Sequence, residues 1–269
     1  MFVFMGQKYL HGFIPEEQQR LIDQAGFLTP LIYPRIDFSG CKRILEIGCG
    51  VGAQTAKLLE LFPEAHITCI DHSELQLAKA KENLKFAGER VTFFQQDATK
   101  LDLPEKYDAV YICWVLEHIP EPVEVLTSMK SFLKEGAKIW ITEVFNATFY
   151  FHPKGKALES YYVKYGEFQK SLGGDPDVGA KLGNLLEHAG YNSIQLYPGG
   201  FHLDKSDENQ LLAFLDFWKE LMRSGSEEML KASVISIEDI SLMEKDLDLI
   251  AKDENPIFYY RFVQAFARV

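Results

Sequence analysis

The chain has 269 residues, of which 47% are hydrophobic, enough for one large packed domain or a domain with a sizeable lid. Its net charge is -11 and its lysines form no basic run, so composition disfavours a nucleic-acid substrate. No apolar run approaches the length of a membrane span, and the apolar start is too short, and lacks the basic region, for a signal peptide.

The elements begin with an amphipathic helix over 15–29, which Pro15 can open. From residue 43 strands and helices alternate, which predicts a parallel sheet with helices on both faces. Strands are expected near 43–47, 66–70, 91–95, 107–113 and 137–143, and helices near 53–62, 73–87, 122–134 and 177–189. The helix at 73 has a capping box, Ser73 to Gln76, and the helix at 177 follows Asp175-Pro176, a cap residue with a proline at the first turn.

Two segments interrupt this alternation. Residues 145–175 are rich in aromatic side chains, and residues 205–253 predict two helices. The final stretch, Ile257–Val269, is apolar enough to form a last strand of the sheet.

Four cysteines are present, and none forms a C-x-x-C pair: Cys41, Cys49, Cys69 and Cys113. Small reduced core residues are the preferred interpretation over a zinc site, so we expect no metal and a reduced, cytoplasmic compartment.

The most informative pattern is an apolar strand that runs into three glycines at alternate positions, Gly48, Gly50 and Gly52. Such a turn lets a ligand approach the backbone closely. About twenty residues later a second strand ends in Asp71, where an acid is placed to bind a ribose. The two features together predict a nucleoside-bearing cofactor.

The order of motifs resembles the class I S-adenosylmethionine-dependent methyltransferases, and five motifs carry this similarity. The E-x-G-x-G-x-G motif is present as Glu46 to Gly52, Asp71 closes the second strand, Gln96-Asp97-Ala98 follows the third, and Tyr107–Val110 with Trp114–Ile119 mark the fourth. The resemblance is close over roughly residues 40–145 and says little about the methyl acceptor.

The resemblance implies an α/β fold with a doubly wound, mostly parallel sheet of seven strands, whose last strand is antiparallel, with helical N-terminal and lid insertions. The expected divisions are a cap, a cofactor-binding core, an aromatic lid, a core continuation, a helical insertion and a last core strand, at 1–40, 41–145, 146–176, 177–204, 205–255 and 256–269.

The resemblance also implies the cofactor contacts. Glu46 is expected to orient the loop, and Asp71 to accept hydrogen bonds from the ribose hydroxyls. Asp97 is expected to accept a hydrogen bond from the adenine amino group, with the Ala98 N–H near a ring nitrogen. The competing interpretations are a helix-capping acid for Asp71 and a solvated loop acid for Asp97. The remaining predicted cofactor residues are Tyr9, Gly48, Cys49, Gly50, Gln54, Thr55, His72, Gln76, Cys113 and Trp114.

Glu117-His118 has two interpretations. His118 could act as a general base near the acceptor, because histidine titrates near neutrality. The pair could instead hold the following loop, and this structural interpretation is favoured. The aromatic segment has two interpretations as well, core packing or an acceptor pocket, and its candidate substrate residues are Phe149, Tyr161, Tyr162 and Tyr165.

These observations predict methyl transfer from S-adenosylmethionine to a small apolar or aromatic molecule. Because Gly48 to Ala53 also fits a loose G-x-G-x-x-A fingerprint, an NAD-dependent dehydrogenase is the first alternative. A cofactor-binding protein without transfer activity, or a protein methyltransferase that acts with a partner, stays open too. The sequence leaves the oligomeric state and the methylated atom undetermined.

Overall fold

A computed structural model describes residues 10–12 and 15–269. Seven strands form one sheet in the order β3-β2-β1-β4-β5-β7-β6. Strands β1 to β5 pair in parallel, and β7 runs antiparallel to both β5 and β6. The strands are β1 Arg43–Ile47, β2 His66–Asp71, β3 Val91–Gln95, β4 Tyr107–Cys113, β5 Leu133–His152, β6 Asn192–Asp204 and β7 Ile257–Arg268.

The α-helices of the described chain are α1 Pro15–Ile32, α2 Ala53–Leu61, α3 Glu74–Asn83, α4 Pro122–Lys130, α5 Lys156–Ser171, α6 Leu182–His188, α7 Glu208–Ser224, α8 Ser226–Lys231 and α9 Ile237–Lys252. The predicted fold class is confirmed, and the predicted bounds of β1, β3 and β4 match those of the structure. The last helices differ from the prediction, since 205–253 contains three rather than two.

The core lies on both faces of the sheet because successive strand residues point to opposite sides. Ile44 of β1 belongs to the cluster on one face and Leu45 to the cluster on the other, and both are fully buried. This near-continuous apolar pattern is what a sheet covered by helices on both faces requires.

The largest departure from the sequence-based elements is the length of β5, expected at 137–143. Beyond Phe145 it continues to His152 because β7 pairs with it again, with Tyr150 opposite Tyr259 after an irregularity in the register. β6 extends in the same way, to Asp204 opposite Ile257. The expected lid boundary at residue 146 therefore falls inside a strand, and the first lid helix, α5, begins at Lys156. Strands β5, β6 and β7 thus extend beyond the carboxyl ends of β1 to β4. This extension supplies one wall of the site.

Candidate cofactor and acceptor site

A cavity of about 800 Å³ opens at the carboxyl ends of the strands. This volume lies within the usual range for small-molecule sites, and the carboxyl edge is where open α/β sheets bind ligands. The cavity is continuous from the glycine loop to a wall of aromatic rings on α7 and the sheet extension. One space can therefore hold two ligands side by side.

The glycine loop is held in a conformation that excludes side chains. Gly48, Gly50 and Gly52 have φ values of 72°, 52° and 79°, in the left-handed region that favours glycine. A Cβ at Gly48 would lie 2.3 Å from the Val115 side chain, whereas one at Gly50 would meet nothing within 4 Å. The loop is thus packed on one side and open at Gly50, which lines the cavity.

Asp71 joins the end of β2 to this loop. One carboxylate oxygen accepts the Gly50 N–H at 2.8 Å and the other accepts the Ser73 N–H at 2.9 Å. The side chain also lines the cavity. Because an ionised carboxylate has about four acceptor positions, lone pairs remain after these two bonds.

The side chain of Asp97 offers a similar arrangement at the end of β3. Its Oδ1 accepts hydrogen bonds from the Thr99 N–H at 2.9 Å and the Thr99 hydroxyl at 2.7 Å. Burial works to raise the pKa of Asp97, but the Thr99 bonds outweigh it and lower the pKa. Its Oδ2 makes no hydrogen bond within the described chain, and both Asp97 and Ala98 line the cavity.

The N-terminal helix covers this half of the cavity. Gln18 donates to the side chain of Gln76 at 3.1 Å, so Gln76 does not complete the expected capping box, although Ser73 Oγ accepts the Gln76 N–H. Arg20 lines the cavity and forms a bidentate ion pair with Glu17, with nitrogen–oxygen distances of 2.6 and 2.7 Å. Arg20 is the one lysine or arginine among the lining residues of the described chain.

Most predicted cofactor residues are brought together here. The lining residues include the predicted Gly48, Cys49, Gly50, Gln54, Asp71, His72, Gln76, Asp97, Ala98, Cys113 and Trp114. Tyr9 lies outside the described residues. Trp114 has a φ of 55°, an uncommon value for a bulky residue, and so turns the chain sharply at the tip of β4.

Two predicted cofactor residues, Glu46 and Thr55, do not line the cavity. The Thr55 hydroxyl donates to the Glu46 carboxyl at 2.6 Å, and both side chains are buried beneath the loop. Burial raises the pKa of Glu46 to about 8, Thr55 opposes the shift and Asp71 adds to it. These two side chains therefore lie beneath the loop and not at the cavity surface, which agrees with the predicted role of Glu46 in orienting the loop.

The turn after β4 rests on an acid that the sequence analysis missed. Glu143 of β5 is fully buried and accepts the N–H groups of Val115, Leu116 and Glu117, at 2.8 to 3.4 Å. Burial and the neighbouring Glu117 raise its pKa to about 8, against the effect of these hydrogen bonds. An acid inside a predicted apolar strand was the available signal, because a buried carboxyl requires partners.

Glu117 and His118 have different surroundings. The Glu117 carboxylate accepts a hydrogen bond from Gln169 of α5 at 2.8 Å, and its main-chain oxygen accepts the Asp175 N–H. His118 lines the cavity, and its ring packs edge-on against His11 at 6.2 Å. Burial lowers the pKa of His118, with Glu117 opposing the shift. Glu117 thus ties the loop to α5, while His118 presents a neutral imidazole to the cavity near pH 7.

The four predicted substrate residues divide into two that line the cavity and two that do not. Tyr162 and Tyr165 line the cavity. Tyr161 does not, because it lies on the core face of α5, where its hydroxyl donates to the Met222 carbonyl at 2.8 Å. Phe149 does not line it either, since its ring packs between Tyr162 and Trp218, at 4.6 and 4.9 Å. Phe149 and Tyr161 are therefore not among the predicted substrate residues that the structure places at the cavity.

The sequence analysis also missed most of the acceptor end. Helix α7 has a strongly amphipathic pattern, but its sequence does not indicate that its apolar face covers a cavity. The additional lining side chains of this end are Val144, Asn146, Phe201, Phe214, Phe217, Trp218, Leu221, Met222, Tyr260 and Phe262.

Comparison with known proteins agrees with this geometry. Residues 44–136 match the family model of a methyltransferase domain. The chain is 47% identical to the malonyl-[acyl-carrier protein] O-methyltransferase of Bacillus cytotoxicus over 68% of this chain and 61% of that protein. It is 29% identical to the demethylmenaquinone methyltransferase of Listeria monocytogenes over 56% of this chain and 70% of that protein. The malonyl-[acyl-carrier protein] O-methyltransferase of Bacillus anthracis is 46% identical to this chain, over 25% of this chain and 24% of that protein.

Among solved structures, phosphoethanolamine N-methyltransferase 2 of Haemonchus contortus in complex with S-adenosyl-L-methionine is similar with a TM-score of 0.58 and 16% identity. The similarity covers 99% of this chain and 59% of that one, and it shows the fold. The chain thus spans less than two thirds of both Bacillus relatives and of this structure. The glycine loop and the strand order agree with the domain match, so residues 44–136 are a methyltransferase domain similar to those of the class I S-adenosylmethionine-dependent enzymes.

Residues 10–12 and 15–269 contain no group of three histidine, cysteine or acidic side chains arranged to hold a metal ion. Nor does a helix in these residues have the length and apolar character needed to cross a bilayer.

Proposed function

We propose that this protein transfers the methyl group of S-adenosylmethionine to a small apolar or aromatic molecule. The observation that carries the proposal is the single cavity that joins the glycine loop to a wall of rings. The cofactor end has acids and open backbone, and the far end has aromatic and aliphatic side chains with few charges. This division suits one polar and one apolar ligand.

The cofactor is expected to lie along the carboxyl ends of β1, β2 and β3. Asp71 would use its remaining lone pairs for the ribose hydroxyls, and the open Oδ2 of Asp97 would accept the adenine amino group. Gly50 and Gln54 would contact the methionine part at the start of α2, where N–H groups favour a carboxylate. The turn at Cys113 and Trp114 would place the sulfonium beside the acceptor end.

The main contribution of the protein to the reaction is to position the acceptor against the sulfonium methyl. An acceptor atom attacks the sulfonium methyl in line, and the sulfur leaves as a neutral thioether. Holding the two in near-attack geometry can supply about 7–11 kcal/mol. α1 and α7 cover the two ends of the cavity and would keep water out.

For an oxygen acceptor, His118 is the proposed general base. Its imidazole would take the hydroxyl proton as the methyl–oxygen bond forms, and its lowered pKa keeps the required neutral form populated near pH 7. An acceptor that carries no proton would not need this step.

The relatives support the reaction class but not one acceptor. Their names specify malonyl-[acyl-carrier protein] and demethylmenaquinone, which are different molecules. The methyltransferase-domain match favours methyl transfer over an NAD-dependent dehydrogenase.

Calorimetry followed by a turnover assay tests the proposal. S-adenosylmethionine and S-adenosylhomocysteine should bind, and NAD should not. A panel of phenols, hydroquinones, carboxylic acids and amines should then contain at least one molecule that releases S-adenosylhomocysteine on turnover. NAD binding alone would favour the dehydrogenase, and cofactor binding without turnover on any acceptor would favour a binding protein or a partner-dependent enzyme.

A further inference from the structure

The apolar end of the cavity contains one amide whose hydrogen bonding is incomplete. Asn146 lies on the extension of β5, and its side chain lines the cavity beside the ring of Tyr260. The Tyr260 hydroxyl donates to Asn146 Oδ1 at 2.7 Å. The amide nitrogen, which carries two N–H groups, makes no hydrogen bond to any described residue.

The position of Asn146 is fixed from several directions. Its backbone N–H donates to the Pro176 carbonyl at 3.0 Å, and its own carbonyl accepts the Tyr162 hydroxyl at 3.0 Å. The amide oxygen, and not the nitrogen, is the atom that faces the Tyr260 hydroxyl, which therefore donates to it. The amide N–H groups therefore point away from that contact, in a side chain that is already held in place.

The indole N–H of Trp218 is buried in the wall of this end and has no partner among the described residues, whereas the neighbouring hydroxyl and carboxylate groups are engaged. The hydroxyls of Tyr162 and Tyr260 both donate to Asn146, and the Tyr165 hydroxyl is 3.1 Å from the His11 ring nitrogen. The carboxylate of Glu117 is bonded to Gln169. Around them lie hydrocarbon surfaces, including Phe214 and Leu221.

We propose that Asn146 is a specificity-determining residue that donates a hydrogen bond to an oxygen atom of the acceptor, such as a carbonyl or ether oxygen. This inference rests on the proposed function, since it assigns the apolar end to the acceptor. The ligand class is a largely apolar molecule with a neutral oxygen acceptor on its ring system. A pure hydrocarbon would leave the amide unpaired in a dry pocket, and burying an unpaired donor is unfavourable.

The test compares two probes with the same fused-ring skeleton, 1-tetralone and tetralin, which differ by one carbonyl oxygen. Binding to the protein saturated with S-adenosylhomocysteine is measured by ligand-observed NMR titration. Wild type should bind 1-tetralone about two- to ten-fold more tightly than tetralin, as expected for one net hydrogen bond. Asn146→Leu should abolish this preference while still binding tetralin.

Two further variants keep the test decisive if Asn146→Leu is unstable. Asn146→Asp replaces the donor with a carboxylate that only accepts, and should also remove the preference for 1-tetralone. Tyr260→Phe releases the amide oxygen and should reduce the preference. Asn209→Leu, at an exposed position at the start of α7, is the matched control and should behave like wild type.

The outcomes separate this inference from the proposed function. Failure of S-adenosylhomocysteine to bind in calorimetry would overturn the cofactor site itself. If the cofactor product binds and neither probe does, the apolar end is not an acceptor pocket and the inference fails. Equal preference for 1-tetralone in wild type and Asn146→Leu would overturn the role of Asn146 and leave the pocket assignment intact.

Discussion

The carboxylate of Asp71 accepts a hydrogen bond from the backbone N–H of Gly50, with 2.8 Å between oxygen and nitrogen. The acid at the end of β2 therefore sets the conformation of the loop at the end of β1, in addition to facing the cavity. A ligand that bridges the two strand ends would meet a loop and an acid already held together, which lowers the cost of ordering them on binding.

Asp71→Ala should weaken binding of S-adenosylhomocysteine about ten-fold or more. The variant loses a charged acceptor for the ribose, and hydrogen bonds to charged groups contribute roughly 1.5–3 kcal/mol. It also releases the Gly50 N–H. Calorimetry measures the affinity, circular dichroism checks the fold, and Asp102→Ala, an exposed acid outside the cavity, is the control. An unchanged affinity would mean that the ribose is held elsewhere.

His118→Asn should reduce kcat for a hydroxyl acceptor by about 10² to 10⁴, the usual contribution of a general base. The wild-type rate should persist below pH 6.5, because burial lowers the pKa of His118 and the neutral base survives into mildly acidic solution. The kcat profile against pH for both proteins measures this, with the exposed His188→Asn as control. If the kcat of His118→Asn stays within a few fold of wild type and its pH profile matches that of wild type, the interpretation that His118 holds the loop is supported instead.

Two adjacent tyrosines of α5 give a matched pair of variants. Tyr162→Leu removes a ring from the cavity and should raise the acceptor KM several-fold, with cofactor affinity nearly unchanged. Tyr161→Leu removes a core ring and its bond to the Met222 carbonyl, and should lower the free energy of unfolding by roughly 2–4 kcal/mol. Its KM should stay near wild type.

Steady-state kinetics with the acceptor found in the panel, and urea unfolding of each variant, measure the two effects. The assignment of the pocket fails if Tyr161→Leu, and not Tyr162→Leu, changes the acceptor KM.

Glu46→Gln should change how stability depends on pH. The pKa of Glu46 in the folded protein is about 8, above its ordinary value of 4.5. Between these pH values the folded state binds more protons than the unfolded chain, so wild type loses stability as pH rises, by up to about 1.4 kcal/mol per pH unit. Glutamine does not titrate and can still accept the Thr55 hydroxyl.

The stability of Glu46→Gln relative to wild type should therefore increase from pH 5 to pH 8. Urea unfolding at three pH values in this window measures it, with Glu64→Gln, an exposed acid, as control. A difference between Glu46→Gln and wild type that stays constant with pH would show that Glu46 titrates normally in the fold.

Residues 40–145 specified their own structure to an unusual degree. The glycine spacing at Gly48 and Gly50 demands a left-handed backbone, and the position of Asp71 after an apolar strand follows from the alternation of elements. These features are local in sequence, so the parallel strands, the glycine loop and the acids at the strand ends could all be predicted from it. The fold class and the resemblance to methyltransferases follow from the same residues.

The acceptor half depended on tertiary packing. Sequence showed that 145–175 is rich in rings, but neighbouring helical residues face different directions, so only the packing of α5 separates Tyr162 in the cavity from Tyr161 in the core. The extension of β5 past Phe145 depends on pairing with β7, more than a hundred residues later, and that pairing places Asn146 beside Tyr260. Local patterns specify contacts within a turn or strand end, whereas a cavity wall assembled from distant elements is specified only when they pack.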